Sequence, residues 1–463
     1  MAYGPHTPAD RRRMLASLGM QSVDELFADI PPALRSTPLR LDPPESEQVL
    51  MGRLANLAGR NRVDLASFLG AGAYRHFSPP MVDHMLLRGE WYTAYTPYQP
   101  EVSQGTLQSI YEYESLIAEL TGLDVVSASH YDGAAATAEA ALMTCRATAR
   151  DRVLVSRAVH PHYREVLTTY FHGAGLQVED IPLVEDGPAA GTTDLAHLER
   201  ALADADHPVA GVVLPQPSFY GLLEPMAEAA RLAHAAGALF VAVIEPVSLA
   251  VLAPPGAYGA DIAAGEGQSL GIPPQYGGPY LGILACTDAL VRQIPGRLVG
   301  MTTDTDGKRA YVMTLQAREQ HIRREKAASN ICTNQTLLAL AATVWLAALG
   351  PHGLRDVAAL GAAKAAELEA ALAAVGVARL HAGAYLNEYV VRVPNPVAVH
   401  RELLGNGVLA GLVLAEAVPD EPSVAEGLLV CATEVTTTDE ISAFARQLQS
   451  ALAVTAHPVG GAA

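Results

Sequence analysis

The chain has 463 residues, half of them hydrophobic and 17% charged, which excludes extended disorder and exceeds what one compact core holds. A formal charge of -18 argues against nucleic acid or an anionic membrane surface as the main partner, because both are bound by excess Lys and Arg. A large domain with a smaller one, in a protein of the cytoplasm, is the expectation.

In chain order, residues 1–70 read as a helical arm broken by proline turns. "TPADRRRMLASLG" offers Thr7 as N-cap with Pro8 at the first helical position, and "SVDE" places Ser22 and Glu25 as a capping box. "DPPESEQVLMGRLANLAGRN" adds one amphipathic helix. The sequence turns acidic soon after Arg11, Arg12 and Arg13, so no signal-peptide core is expected.

From about residue 122 short apolar runs alternate with Ala-rich helical segments. "LDVVSAS", "RVLVS", "PVAGVVLP", "ALFVAVIEP" and "ADIAAGE" read as strands, and "AAATAEAALMTCRATA", "HYREVLTTYFHGAG" and "MAEAARLAHAAG" as helices. This spacing predicts right-handed βαβ crossovers and a mainly parallel sheet in a large domain over 71–325. Residues 326–463 then read as a bridging helix, "LLALAATVWLAALG", and a small αβ domain. That apolar run is too short to span a bilayer, so no membrane partner is expected. Cys145, Cys286, Cys332 and Cys431 lie far apart and read as buried thiols.

Ligands of parallel α/β sheets sit at the carboxyl ends of the strands, so the loops there carry the functional reading. Asp132-Gly133-Ala134 opens a helix, a geometry suited to an anion held by backbone N–H groups and equally to a tight glycine turn. His160 and His162 give two imidazoles without a third ligand, short of a catalytic zinc site. "GEGQSLGIPPQYGG" is glycine-rich without the dinucleotide fingerprint. "REQHIRREK", with Arg318, His321, Arg323 and Arg324, is a solvated charged face or a receiver of a carboxylate or acidic partner.

The loop from Asp261 to Gly282 looks like the place where a pyridoxal-phosphate (PLP) enzyme keeps its cofactor lysine, yet it has none. A Schiff-base lysine must reach the cofactor from a strand-end loop. The three lysines are elsewhere: Lys308 in a polar turn, Lys326 in the charge run and Lys364 on an Ala-rich helix. Glu245, ending a strand, is one methylene longer than the Asp that usually pairs with a pyridinium nitrogen; beside Pro246, capping or a salt bridge is the favoured reading.

Three stretches carry a family resemblance: "WYTAYTPYQPEVSQGTLQSIYEYESLIAELTGLDVVSASHYDGAAATAEA", "ADIAAGEGQSLGIPPQYGGPYLG" and "GRLVGMTTDTDGKRAYVMTLQAREQHIRREKAASNICTNQTLLAL". They resemble the P-protein of the glycine cleavage system, in particular subunit 1 of its two-chain form. The resemblance implies a fold type I PLP-dependent transferase architecture (aspartate aminotransferase-like) and decarboxylation of glycine. It also implies transfer of the aminomethyl group to the lipoyl arm of the H-protein, with T-protein and L-protein acting in the same system. In the resembled family the cofactor lysine belongs to the second subunit, in a His-Lys-Thr sequence. Gln268, Ser269 and Leu270 stand at those positions here, so PLP is expected covalently on the partner and not on this chain.

By the same resemblance Ala135 replaces a ring-stacking His, and Ser218 stands where Asn is expected. Asp132, Gly133, Glu245, Gln268 and Ser269 thus read as a vestigial cofactor site. Fold type I sites form between subunits, so Tyr95, Thr96, Tyr98 and Gln99 in "AYTPYQPE" are candidates for completing the partner's site, or are ordinary aromatic interface anchors. Arg318, His321, Arg323 and Arg324 are candidates for contacting the substrate carboxylate or H-protein. An α2β2 assembly is implied. The alternative is a scaffold that only stabilises the catalytic subunit and docks H-protein.

Overall fold

A computed structural model describes residues 5–35, 40–275, 277–332 and 334–456. The chain divides into two compact units, Met1–Val63 and Asp64–Ala463.

The first unit contains helix α1 (Pro8–Ser17) and helix α2 (Glu47–Ala58), with short 3-10 turns between them. Thr7 caps α1 through the Asp10 amide, and Pro8 occupies its first position, where a missing N–H is harmless. Glu25 accepts from the Ser22 amide at 2.9 Å, and Ser46 caps α2 through Val49. No residue of α2 is buried: Val49, Leu50, Met51, Leu54 and Leu57 are all exposed, as are Leu18, Phe27 and Leu34 earlier in the unit.

The second unit is built on a seven-stranded sheet: β1 (Val125–Val126), β2 (Arg152–Ser156), β3 (Gln177–Ile181), β4 (Val209–Gln216), β5 (Leu239–Ile244), β6 (Ile262–Glu266) and β7 (Gly282–Cys286). Their spatial order is β1-β7-β6-β5-β4-β2-β3, and only β7 runs against the others. The period-two rule assigns the faces. Leu154, Val212, Leu214 and Phe240 pack one way, with α3 (Gln104–Thr121), α6 (Leu195–Leu202), α7 (Met226–Ala235) and Trp345. Val153, Val155, Val213 and Val241 pack the other way, with α4 (Gly133–Thr148) and α5 (Pro161–Ala174). Each such side chain withdrawn from water contributes roughly 1.5–3 kcal/mol. Two strands escape the sequence reading. β3 is an edge strand whose polar "QVED" hides its pattern, and β7 returns antiparallel after the glycine-rich loop.

An antiparallel hairpin, β8 (Leu298–Thr303) and β9 (Arg309–Thr314), follows. Helix α8 (Thr336–Ala374) is long and apolar enough, by length and composition, to cross a membrane. It breaks at Gly350, whose φ of 62° and ψ of -177° are non-helical, and Trp345, Leu368 and Leu372 are fully enclosed. Its second half covers a three-stranded sheet in the order β10 (Glu388–Arg392), β12 (Gly427–Cys431), β11 (Leu412–Val413), joined by α9 (Pro396–Gly405) and α10 (Thr438–Ala456). Ala66–Ser67, which the sequence boundaries place in the arm, pair with Val408–Leu409, and Phe68 meets Phe444 ring to ring at 4.5 Å.

Candidate active site

The carboxyl end of β6 faces the N-terminus of α4, as the sheet topology requires of a ligand crevice. Asp132 caps α4, its Oδ1 accepting the Ala135 amide at 2.7 Å. The next donor, the Gly133 amide, does not await a ligand: it donates to Glu266 Oε2 at 2.9 Å. Glu266 Oε1 accepts two further amides, Gln268 at 3.0 Å and Leu281 at 2.9 Å. A Cβ at Gly133 would run into the Tyr163 hydroxyl and Glu266 Cβ, so glycine is needed for this close approach. Burial pushes the Glu266 carboxyl up to about 7, against the pull of the amides.

One turn further, Ser269 Oγ donates to Glu245 Oε1 at 2.6 Å. Glu245 caps the 3-10 turn Pro246–Ala250, accepting the Val247 amide at 3.1 Å and the Ser248 amide at 2.7 Å. This is the capping role that its place beside Pro246 predicts. Gln268 is buried and clamps the chain, accepting the Tyr74 amide at 2.7 Å and donating to the carbonyls of Tyr74 and Ile272. Leu270 and Ala135 are core residues, and Ser218 Oγ accepts the Leu222 amide at 3.1 Å inside its own turn.

Glu388, which the sequence reading did not single out, and His160, which it did, complete the surroundings. Glu388 is buried, accepts from the Tyr74 hydroxyl at 2.9 Å and the Ala71 amide at 2.5 Å, and is pushed up to about 7 by burial. His160 stacks on Tyr163 with ring centroids 5.0 Å apart and touches Phe219 edge-on at 4.8 Å. Its Nε2 lies 3.0 Å from the Ala71 carbonyl, and burial lowers the ring to about 4. His162 is exposed, and among the described residues no three His, Cys, Asp or Glu side chains converge for a metal.

These residues do not fit PLP. The space between Tyr74, His160, Tyr163, Ser218, Glu245 and Glu266 is a cavity of about 60 Å3, room for a handful of waters at ~10–15 Å3 each. It adjoins an open cleft of about 760 Å3 that includes Ala71, Asp132, His162, Tyr280, His400 and Glu416. Among the described residues no lysine or arginine lines either space. Lys308 and Lys326 are exposed, and Lys364 is held by Glu367 and Thr438 at 2.9 Å each.

The tyrosine loop and the charge run, separate in sequence, meet. The Tyr98 ring receives the Arg297 guanidinium at 5.6 Å from its centroid and the His321 ring edge-on at 5.9 Å. Arg297 is buried, donates to the Tyr98 hydroxyl at 3.2 Å and lies 3.8 Å from Glu319, which is 3.7 Å from His321. Tyr95 and Thr96 line a cavity of about 140 Å3 with Arg297 and Asn334. Tyr95 is 72% exposed, and Gln99 is exposed too. Arg318 is turned inward, donating to the Ile294, Gly296 and Leu315 carbonyls, whereas Arg323 and Arg324 are exposed. Of the four charge-run candidates, His321 is the one that stands against the tyrosine loop among the described residues.

Sequence reasoning missed Glu266, Glu388 and Arg297. For Glu266 a signal existed, since a charged residue ending the apolar run "ADIAAGE" is expected to be paired when buried. Glu388 and Arg297 act through contacts far apart in the chain, which no local pattern encodes.

Residues 1–448 match the family model of the glycine cleavage system P-protein. The chain is 53% identical over 456 residues to the probable glycine dehydrogenase (decarboxylating) subunit 1 of Moorella thermoacetica, covering 98% of this chain and all of the relative. It resembles the crystal structure of a glycine decarboxylase (P-protein) of the glycine cleavage system in inhibitor-bound form. That match has a TM-score of 0.89 at 44% identity and covers 97% of this chain and 100% of the other. A sphingosine-1-phosphate lyase of Burkholderia pseudomallei shares the fold at a TM-score of 0.63 and 16% identity, over 92% and 94% of the two chains. The architecture is that of fold type I PLP-dependent enzymes, as the sequence implied.

Proposed function

The chain belongs to the glycine cleavage system P-protein family, and from that premise we propose that it is the cofactor-free subunit of a two-chain glycine dehydrogenase (decarboxylating). Its partner, subunit 2, carries PLP on a lysine. Together they release the carboxyl group of glycine as CO2. The electron pair left on carbon forms a C–S bond to the lipoyl arm of the H-protein; the lipoyl disulfide opens and its second sulfur takes a proton. T-protein and L-protein then act on the loaded carrier. We place the assembly in the cytoplasm as an α2β2 tetramer.

The observation that carries this reading is the pairing of Ser269 with Glu245: a hydroxyl stands at the lysine position and is already bonded to the residue at the acid position. PLP, when bound to the partner, supplies the electron sink for the carbanion. This chain's task is to present the loop of Tyr95, Thr96, Tyr98 and Gln99 at the interface, where it orients substrate and excludes water. Arg297 and His321 fix that loop through Tyr98.

Borohydride reduction with PLP, followed by intact-mass analysis of the two-chain complex, tests the division of labour. A pyridoxyl adduct on the partner alone supports it; an adduct on Lys308, Lys326 or Lys364 overturns it. Glycine turnover that survives Phe substitution of both Tyr95 and Tyr98 favours the scaffold reading.

A further inference from the structure

We propose that Glu266 is a built-in stand-in for an anion: its carboxyl group fills the phosphate cup at the start of α4 and thereby excludes a phosphate-bearing cofactor from this chain. The inference rests on the proposed cofactor placement only for the identity of the excluded ligand.

Loss of a Schiff-base lysine does not by itself empty a cofactor site, because the phosphate contacts are independent of the covalent link. What decides phosphate binding is whether backbone donors at the helix N-terminus are available. Here three amides, Gly133, Gln268 and Leu281, converge on the two oxygens of Glu266 at 2.9–3.0 Å. Of these Gly133 belongs to α4, whose Ala135 amide is in turn held by Asp132, so two side-chain carboxyl groups take donors from the first turn that a phosphate would need, at ordinary hydrogen-bond lengths.

The surroundings reinforce the exclusion. A phosphate displacing Glu266 would leave that carboxyl group beside it in a space lined by Asp132, Glu245 and Glu416 and, among the described residues, by no Lys or Arg. Like charges a few ångströms apart repel, and no cation at the site offsets them among the described residues. The Glu266 backbone belongs to β6, a buried interior strand, so the carboxylate cannot swing aside with a mobile loop.

The test is isothermal titration of the full-length chain with inorganic phosphate and, separately, with PLP. Wild type is expected to bind neither saturably, and Glu266→Ala to gain saturable phosphate binding at least tenfold tighter than any wild-type signal. Glu266→Ser serves as a second variant should the first not fold. In wild type, hydrogen exchange at the Gly133, Gln268 and Leu281 amides is expected to be slow. Saturable phosphate binding by wild type, fast exchange at those amides, or a folded Glu266 variant without phosphate affinity would each overturn the assignment. A pyridoxyl adduct on one of this chain's lysines would instead overturn the cofactor placement, leaving the phosphate titrations to judge Glu266.

Discussion

The Ser269 hydroxyl and the Glu245 carboxyl group lie 2.6 Å apart, joining the loop after β6 to the end of β5 by a direct hydrogen bond. Glu245 remains tied to the Val247 and Ser248 amides when Ser269 is removed. Ser269→Ala is therefore expected to lower unfolding free energy by about 1.5–3 kcal/mol, the range for a bond to a charged partner. Urea denaturation checks this, and a change below about 0.5 kcal/mol would show the bond to be incidental.

The tyrosine loop gives a second prediction. Arg297 holds Tyr98 by a hydrogen bond and by its position over the ring, and Arg297→Lys keeps the charge while losing the planar fork. In the assembled complex, glycine turnover is expected to fall roughly tenfold or more, the scale of misplaced positioning groups. PLP content should be unchanged, and limited proteolysis should cut faster between residues 92 and 99. Unchanged turnover with faster cleavage would confine Arg297 to stability.

A third prediction concerns pH. Burial raises Glu388 to about 7 from 4.5, so the folded state holds a proton that the unfolded chain releases. The stabilisation is complete below about pH 4.5 and is lost as pH rises toward 7. Buried His130 and His160 act in the opposite sense: lowered to about 3 and about 4, they cost stability as pH falls below 6.5. A difference measurement isolates the glutamate. The stability of wild type relative to Glu388→Gln should decline by about 2–3 kcal/mol between pH 4.5 and 7.5. A flat difference in thermal unfolding would remove Glu388 from the balance.

Gly350 supplies a fourth. Its φ of 62° with ψ of -177° suits glycine almost alone, and Pro351 directly follows the break. Gly350→Ala is expected to cost about 1–3 kcal/mol, read as a lowered melting temperature. A neutral result would mean that α8 can straighten across the break.

These cases mark what was legible in the chain. Buried strands such as Arg152–Ser156 and Val209–Gln216 stood out because a strand covered on both faces is a continuous apolar run. The Thr7 and Ser22 caps were legible because their partners are three residues away. The capping role of Glu245 was readable beside Pro246. The pairing of Ser269 with Glu245, the Gly133–Glu266 bond and the meeting of Tyr98 with Arg297 join residues 24, 133 and 199 positions apart. Only the folded chain brings them together. The polar edge strand Gln177–Ile181 was hidden for a different reason, since its side chains need no strict alternation where water reaches them.

The first 63 residues leave Leu18, Phe27, Leu34, Val49, Met51 and Leu54 open to water. Apolar surface displayed in this way makes a lone copy of the chain prone to stick to its own kind. Overproduced alone, the chain would be felt first as precipitation and proteolysis of the surplus, before any change in chemistry.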